Sequence, residues 1–293
     1  MRPHTASHTA QLVARSIVLA SKDEPLCRLL APRSAETLAK IPEVTAGWFG
    51  AAVKWHFMRR LMLALERLAL PGVIAHYLAR KLCIEAELRS ALSAGAGRVV
   101  VFGAGFDTLV WRLHHEFPEV RWVEIDHHAT QEVKARALGA AANLTYVSLD
   151  LMATRPICQL LDAPGAPVVP TVVVVEGVTM YLTAEKVAAL LTDCAQLAGA
   201  RGRVILTYME MDGAGSIDFR AQNRAVRWWL RLCAEPFIWG ISRASVKPFL
   251  ASCGLGEVTL IDHGILRATT LTPRGLPAIP LAEGECICTC FPL

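Results

Sequence analysis

Read as a pattern of apolar and polar positions, the chain changes period near residue 95. Before that point apolar residues recur at helical spacing. Ile74, Leu78, Leu82 and Leu88 fall on or near one face between Val73 and Leu92, which predicts a helix. The run from Leu61 to Leu70 predicts another, stopped by Pro71-Gly72. Gly95-Ala96-Gly97 breaks the helical period. From 98 onward short apolar runs alternate with helical stretches, the pattern of a mostly parallel sheet. Strands are predicted at 98–102, 121–125, 144–148, 171–176, 202–208, 257–262 and 285–291, and helices at 107–116, 127–139 and 184–198. Val99-Val100-Val101 and the four valines 172–175 are unbroken apolar runs, as expected of strands covered on both faces. The stretch 211–245 departs from the alternation. It carries Trp228, Trp229 and Trp239 behind Gly213 and Gly215, and reads as a helical insertion over the ligand edge of the sheet. The chain thus reads as one α/β domain over 1–293, with an N-terminal helical segment (1–95) and a core (96–293) bearing that insertion.

The first strand runs straight into Phe102-Gly103-Ala104-Gly105-Phe106-Asp107-Thr108, and the second ends in Glu124-Ile125-Asp126. Strand, glycine turn, helix, strand with a terminal carboxylate is how a doubly wound sheet holds a nucleoside. Gly103 and Gly105 let the backbone approach the ligand, and Asp126 can accept both ribose hydroxyls or cap the following helix. A dinucleotide site wants a third glycine where Thr108 stands. Asp107 sets a negative charge beside that position, which opposes a pyrophosphate and suits the cationic S-adenosylmethionine. Glu176, at the end of the fourth strand, is costly to bury unless it is paired or functional. It lies where the ammonium and methyl group of such a ligand belong. Tyr181 either lines the methyl-transfer site or packs under a helix start. Asp150-Leu151, after the third strand, offers an acid for the adenine amino group and an apolar side chain for its ring, or a solvated loop aspartate.

These motifs, together with Glu124-Ile125-Asp126-His127 and Glu176-Gly177-Val178-Thr179-Met180-Tyr181-Leu182, resemble the leucine carboxyl methyltransferase family. The likeness extends over most of the chain, including Asp23-Glu24-Pro25-Leu26. It implies a Rossmann-like class I methyltransferase fold with a seven-stranded sheet, N-terminal helices and a helical lid. It also implies methyl transfer from S-adenosylmethionine to oxygen, and it supports Asp150-Leu151 at the adenine. It assigns Arg80 to the carboxylate of the methionine moiety, where a guanidinium fork suits bidentate binding. Here Arg80 is followed by Lys81 rather than threonine, a departure from the family pattern. Bacterial members modify secondary metabolites. A carboxylate acceptor, on a small molecule or a peptide, is the first expectation and a phenol or alcohol the second.

A carboxylate is ionised at neutral pH and needs no base; a hydroxyl would. For the second case His263, after the sixth strand, is the candidate base. Tyr208, Trp228 and Trp229 are candidate acceptor-pocket residues, although adjacent tryptophans cannot share one helix face. Two other classes stay open. An NAD-dependent oxidoreductase is opposed by Thr108 and by Glu185, which stands four residues after Tyr181 where a catalytic lysine would be. A non-catalytic scaffold would predict decayed motifs.

Composition narrows the field further. At 53% hydrophobic and 19% charged, the chain is globular rather than disordered. A net charge of +4, spread thinly along the sequence, makes no strong case for nucleic acid as partner, and with no uninterrupted apolar run of the roughly 20 residues a spanning helix needs, no membrane is expected. Nine scattered cysteines, and residues 1–20 without an apolar core of signal-peptide length, lead to the expectation of reduced thiols in a cytoplasm. Cys286, Cys288 and Cys290 alternate along a predicted strand, about 6.6 Å apart. That is too far for sulfurs each ~2.3 Å from one zinc. No metal site is expected, and the three read as buried side chains.

Overall fold

The computed structural model describes residues 7–151 and 169–293; Cys158 lies outside them. Seven strands form one sheet in the order β3-β2-β1-β4-β5-β7-β6. They are β1 (Arg98–Phe102), β2 (Arg121–Asp126), β3 (Leu144–Ser148), β4 (Thr171–Val175), β5 (Arg203–Met209), β6 (Leu255–Ile261) and β7 (Glu285–Pro292). β1 through β5 pair in parallel; β7 runs antiparallel between β5 and β6. The valine runs explain the centre of this order. Every residue of β1 and β4 is buried, because strand alternation sends Val99, Val101, Val172 and Val174 into one apolar layer and Val100, Phe102, Val173 and Val175 into the other.

The first layer lies under the N-terminal helices, among them α1 (His8–Ala20), α2 (His56–Ala69) and the long, mostly buried α3 (Val73–Ser93). The second is covered by the helices α4 (Ala184–Ala198) and α5 (Arg243–Ser252). Two expected elements are shorter than the pattern suggested. The helix after β1 spans only Leu109–Leu113: Asp107 Oδ1 accepts the N–H groups of Thr108 and Leu109 at its start, and residues 114–116 continue as turns. Within 211–245 the only helix that fits is Arg224–Leu232; residues 243–245 begin α5, and the rest is largely irregular.

The chain leaves β1 toward β2 and β3 on one side and returns through β4 toward β5 on the other. Such a switch of direction opens a crevice at the carboxyl ends of the strands. Register then decides what lines it. Phe102 pairs with both Ile125 and Val175, so the residues at the next level, Gly103 after β1, Asp126 at the end of β2 and Glu176 after β4, emerge side by side.

Candidate active site

Gly103 and Gly105 adopt φ of 63° and 48°, left-handed values that glycine tolerates best. A Cβ on Gly103 would stand 2.2 Å from Val178 Cγ2, and one on Gly105 would meet Ala10 Cβ at 3.2 Å. The glycines therefore leave room for Val178 and for α1, whose first turn lies over the glycine turn. Asp126 spans the turn's base: its Oδ2 accepts the Gly105 N–H and its Oδ1 the His127 N–H, each at 2.6 Å. The helix cap is instead His127 Nδ1, which accepts from Ala129. Burial raises the Asp126 carboxyl above its usual range, and those two N–H groups offset part of the effect.

These residues border a cavity of about 420 Å³, together with Asp107, Asp150, Leu151, Glu176 and Tyr181. Arg80 reaches it too, but its fork is occupied. Nη2 lies 2.7 Å from Glu176 Oε1, and Nη1 pairs with Glu285. His76 Nε2 holds the same Glu285 oxygen at 3.0 Å. Lys81 Nζ bridges Asp107 Oδ2 and Glu176 Oε1 at 3.1 Å each. Burial would raise the Glu285 carboxyl, but Arg80 and His76 outweigh it and hold the group at about 2. Lys81, Lys134 and Arg112 likewise outweigh burial at Asp107, which also sits at about 2. Six carboxylates and two cationic side chains, Arg80 and Lys81, line the cavity. That balance favours a cationic ligand and opposes a pyrophosphate.

At its other end the cavity turns apolar, with Met180, Phe219 and Phe237 around Tyr181 and Thr9. Glu235 closes this end. Its Oε1 accepts the His8 N–H at 3.1 Å, and its Oε2 accepts the Thr9 N–H at 2.8 Å and the Thr9 hydroxyl. A second cavity of about 650 Å³ adjoins here, sharing Thr9, Tyr77, Phe219 and Phe237 and continuing between α1, α2 and the Arg224–Leu232 helix.

Several expected residues lie elsewhere. His263 is 41% exposed, pairs with Glu283 at 3.2 Å and does not reach the cavity. The reason is topological: β7 enters between β5 and β6, so the end of β6 lies at the sheet's edge. Tyr208 is fully buried in the layer under α4 and α5. Strand alternation turns its neighbour Thr207 toward the site, where its hydroxyl accepts the Gly177 N–H at 2.8 Å. Trp228 is 64% exposed and lines neither cavity, whereas Trp229 lines the second. Cys286, Cys288 and Cys290 are buried in the apolar layer with Tyr208. Among the described residues no group of three or more metal-ligating side chains is placed to hold an ion.

Sequence reasoning missed Lys81, Glu285, Thr9, Glu235 and Phe237. Glu285 had a signal, a carboxylate opening an apolar strand, the same argument that singled out Glu176. Thr9 and Glu235 had none, since their pairing joins positions 226 residues apart.

Comparison with known proteins agrees with this geometry. A candidate methyltransferase from Thermobifida fusca YX superposes with a TM-score of 0.58 at 14% identity, over 80% of this chain and 88% of its own, a likeness of fold. A candidate S-adenosyl-L-methionine-dependent methyltransferase of Parafrankia sp. (strain EAN1pec) is 33% identical over 145 residues, covering 47% of this chain and 46% of the relative. Another from Bacillus subtilis (strain 168) is 34% identical over 122 residues, 40% of each chain. The chain thus spans about half the length of the curated relatives it matches. The family model described as leucine carboxyl methyltransferase matches residues 13–195. That stretch takes in most of α1, all of α3, the glycine turn and the strand ends bearing Asp126 and Glu176, and by this match the chain belongs to the leucine carboxyl methyltransferase family.

Proposed function

We propose that this protein is an S-adenosylmethionine-dependent O-methyltransferase that esterifies a carboxylate on a small apolar molecule. The observation that carries the reading is the register that brings Gly103, Asp126 and Glu176 together in one acid-lined cavity. The donor set fits the cofactor. In this reading Asp126 would hold the ribose, Asp150 and Leu151 the adenine, and Glu176 the ammonium group. Asp107 contributes indirectly, by capping the helix after the glycine turn and anchoring Lys81. Arg80 and Lys81 pair with Glu176 and hold it in place; Arg80 would meet the methionine carboxylate only as a shared partner of Glu176 and Glu285. Bound there, S-adenosylmethionine supplies a methyl group already activated by its sulfonium, so the chain's task is orientation and exclusion of water.

The carboxylate reading rests on what surrounds the apolar end. Among the described residues lining the first cavity, the lone histidine is His127, at the ribose end. Glu235 already accepts from His8 and Thr9. Burial pushes the Tyr181 phenol far up, so it stays neutral and serves as a donor rather than a base. An acceptor that arrives ionised needs no base. Meeting of opposite charges is also favoured by the low dielectric of Met180, Phe219 and Phe237.

Calorimetric titration of S-adenosylhomocysteine, and separately of NAD, into the wild type and Asp126→Ala tests the cofactor. We expect dissociation constants on the order of micromolar for the former. In Asp126→Ala they should weaken by roughly 30-fold or more, as for loss of hydrogen bonds to a charged group. NAD binding in its place would overturn the proposal. Labelled methyl transfer to paired carboxylic-acid and phenol panels then separates base-labile esters from stable ethers.

A further inference from the structure

The net charge of +4 looks thinly spread in the sequence, but in the fold part of it gathers around exposed apolar side chains. On α2, Phe57, Leu61, Leu65 and Leu68 follow one another at helical spacing and are 74%, 40%, 55% and 75% exposed. No residue of that helix is buried. The Arg224–Leu232 helix continues the surface with Trp228 and Leu232, one turn apart and both exposed. The two helices are joined directly, since Asn223 donates its backbone N–H to Ala69 O and its side-chain amide to Leu68 O. Trp48 and Trp55 stand exposed just before α2.

Cations flank these side chains. Residues 47–70 hold Lys54, Arg59, Arg60 and Arg67 against the single acid Glu66, and 223–233 hold Arg224, Arg227 and Arg231 and no acid, although Arg227 pairs with Asp218 from the preceding segment. Glu66 lines the second cavity, as do Leu65, Trp48 and Trp229. The exposed face and the rim of that cavity are therefore built from the same elements.

An amphipathic helix with aromatic and leucine side chains on one face and arginines beside them is the composition that lies in the headgroup region of an anionic bilayer. Among the described residues no single helix is long and apolar enough to cross a membrane; α2 and α3 pass that test only as a pair bent by 89°, and α3 is mostly buried inside the fold, so the exposed α2 is read as a surface element. We propose that this face docks the protein peripherally on an anionic lipid bilayer, so that the acceptor enters the 650 Å³ cavity as an amphiphile drawn from the lipid. The docking stands on the surface alone; the statement about the acceptor rests on the methyltransferase reading.

The test is flotation of the full chain with vesicles of phosphatidylcholine alone or mixed with phosphatidylglycerol, at low and raised salt. Wild-type protein should float with the anionic vesicles, less so at raised salt and little with the neutral ones. Each cation near such a surface contributes about fivefold in binding. Arg60→Glu combined with Arg224→Glu should therefore reduce binding by roughly twentyfold or more. Phe57→Ser combined with Trp228→Ser should reduce it on both lipids. These side chains are exposed, so unchanged thermal unfolding of the variants establishes that they fold.

Absence of flotation, or flotation indifferent to both pairs of substitutions, would overturn the docking. So would a wild-type dimer in sedimentation that Phe57→Ser/Trp228→Ser converts to monomer, since a second copy would then cover the face. S-adenosylhomocysteine titration on the same samples keeps the two readings apart. Vesicle binding without cofactor binding retains the surface and removes the methyltransferase. Cofactor binding without vesicle binding does the reverse.

Discussion

The two ends of the joined cavities are built by different rules. The glycine-turn end is made by backbone topology: neighbouring parallel strands stop in register, and Gly103, Asp126 and Glu176 follow at the same level. Its polar groups are locked to one another, Arg80 to Glu176 and Glu285, Lys81 to Asp107 and Glu176. The apolar end is made from side chains of segments far apart in the sequence, Thr9, Tyr77, Phe219 and Phe237. There the chain is joined by a few hydrogen bonds, from Glu235 to the start of α1 and from Asn223 to the end of α2. The first arrangement gives fixed charge and shape. The second gives a shape that depends on how distant segments pack.

The largest effect should come from breaking the locked end. Arg80→Ala leaves Glu176 and Glu285 facing each other in a buried site, and removing one partner of a buried pair costs about 3–5 kcal/mol. Urea unfolding should show that loss, and a change near zero would mean the network is not held by Arg80. Acid should act on the same end more gently. Glu285 and Asp107 both sit at about 2, below their ordinary values of 4.5 and 3.8. Carboxyls depressed by folding contribute stability above their unfolded values and lose it as pH falls toward their folded ones. Unfolding free energy should therefore decline from about pH 4.5 to 2, by a few kcal/mol at most. In Arg80→Ala the part of that decline due to Glu285 should flatten, which urea titrations across this range would resolve.

The same contrast explains what the sequence disclosed. All seven strands were legible from local pattern: the apolar runs of β1 and β4 respond to burial on both faces, and β6 alternates at the sheet's edge. The positions of Asp126 at the end of β2 and of Glu176 just after β4 were legible because a strand's end is fixed by where its apolar run stops. Tyr208 was misplaced because a strand end says nothing of which face a side chain takes, and a one-residue step reverses it. His263 failed for a different reason. That β7 would enter antiparallel between β5 and β6 is a matter of strand order, and no periodicity encodes it. Trp228 looked like pocket lining because an aromatic pair draws attention, but one helix cannot turn both rings inward. The Glu235–Thr9 contact left no trace in either segment.

A smaller effect should separate the two ends functionally. Phe237 borders both cavities and meets Tyr181 and Phe219 ring to ring, with centroids 5.7 Å and 6.2 Å apart. Phe237→Ala removes apolar area from the acceptor end alone. Full burial of an aromatic of this size contributes roughly 1.5–3 kcal/mol; Phe237 is partly buried, so KM for the acceptor should rise by roughly three- to tenfold. Affinity for S-adenosylhomocysteine should stay within about twofold of wild type. If both fell together, the pockets would share one energetic unit and the contrast between them would fail.

The smallest effect asks whether the join itself is a separate unit. Glu235 accepts two backbone N–H groups and a hydroxyl at the first turn of α1, groups with no partner inside the helix. Its charge also faces the positive end of that helix. Glu235→Ala removes all of these contacts and should cost about 1 kcal/mol, the usual loss for an N-terminal cap. Ser7 still accepts from Ala10 at 3.1 Å, so α1 keeps part of its cap and should not unfold. The consequence should be local. Amide exchange of His8, Thr9 and their neighbours should quicken by about fivefold. The Gly103 amide, bonded to Ile125 O at 2.8 Å, should keep its protection. Equal quickening at Gly103 would show that α1 and the glycine turn open as one, because Ala10 sits over Gly105. The apolar end would then be a cover whose fit governs the cofactor as well as the acceptor.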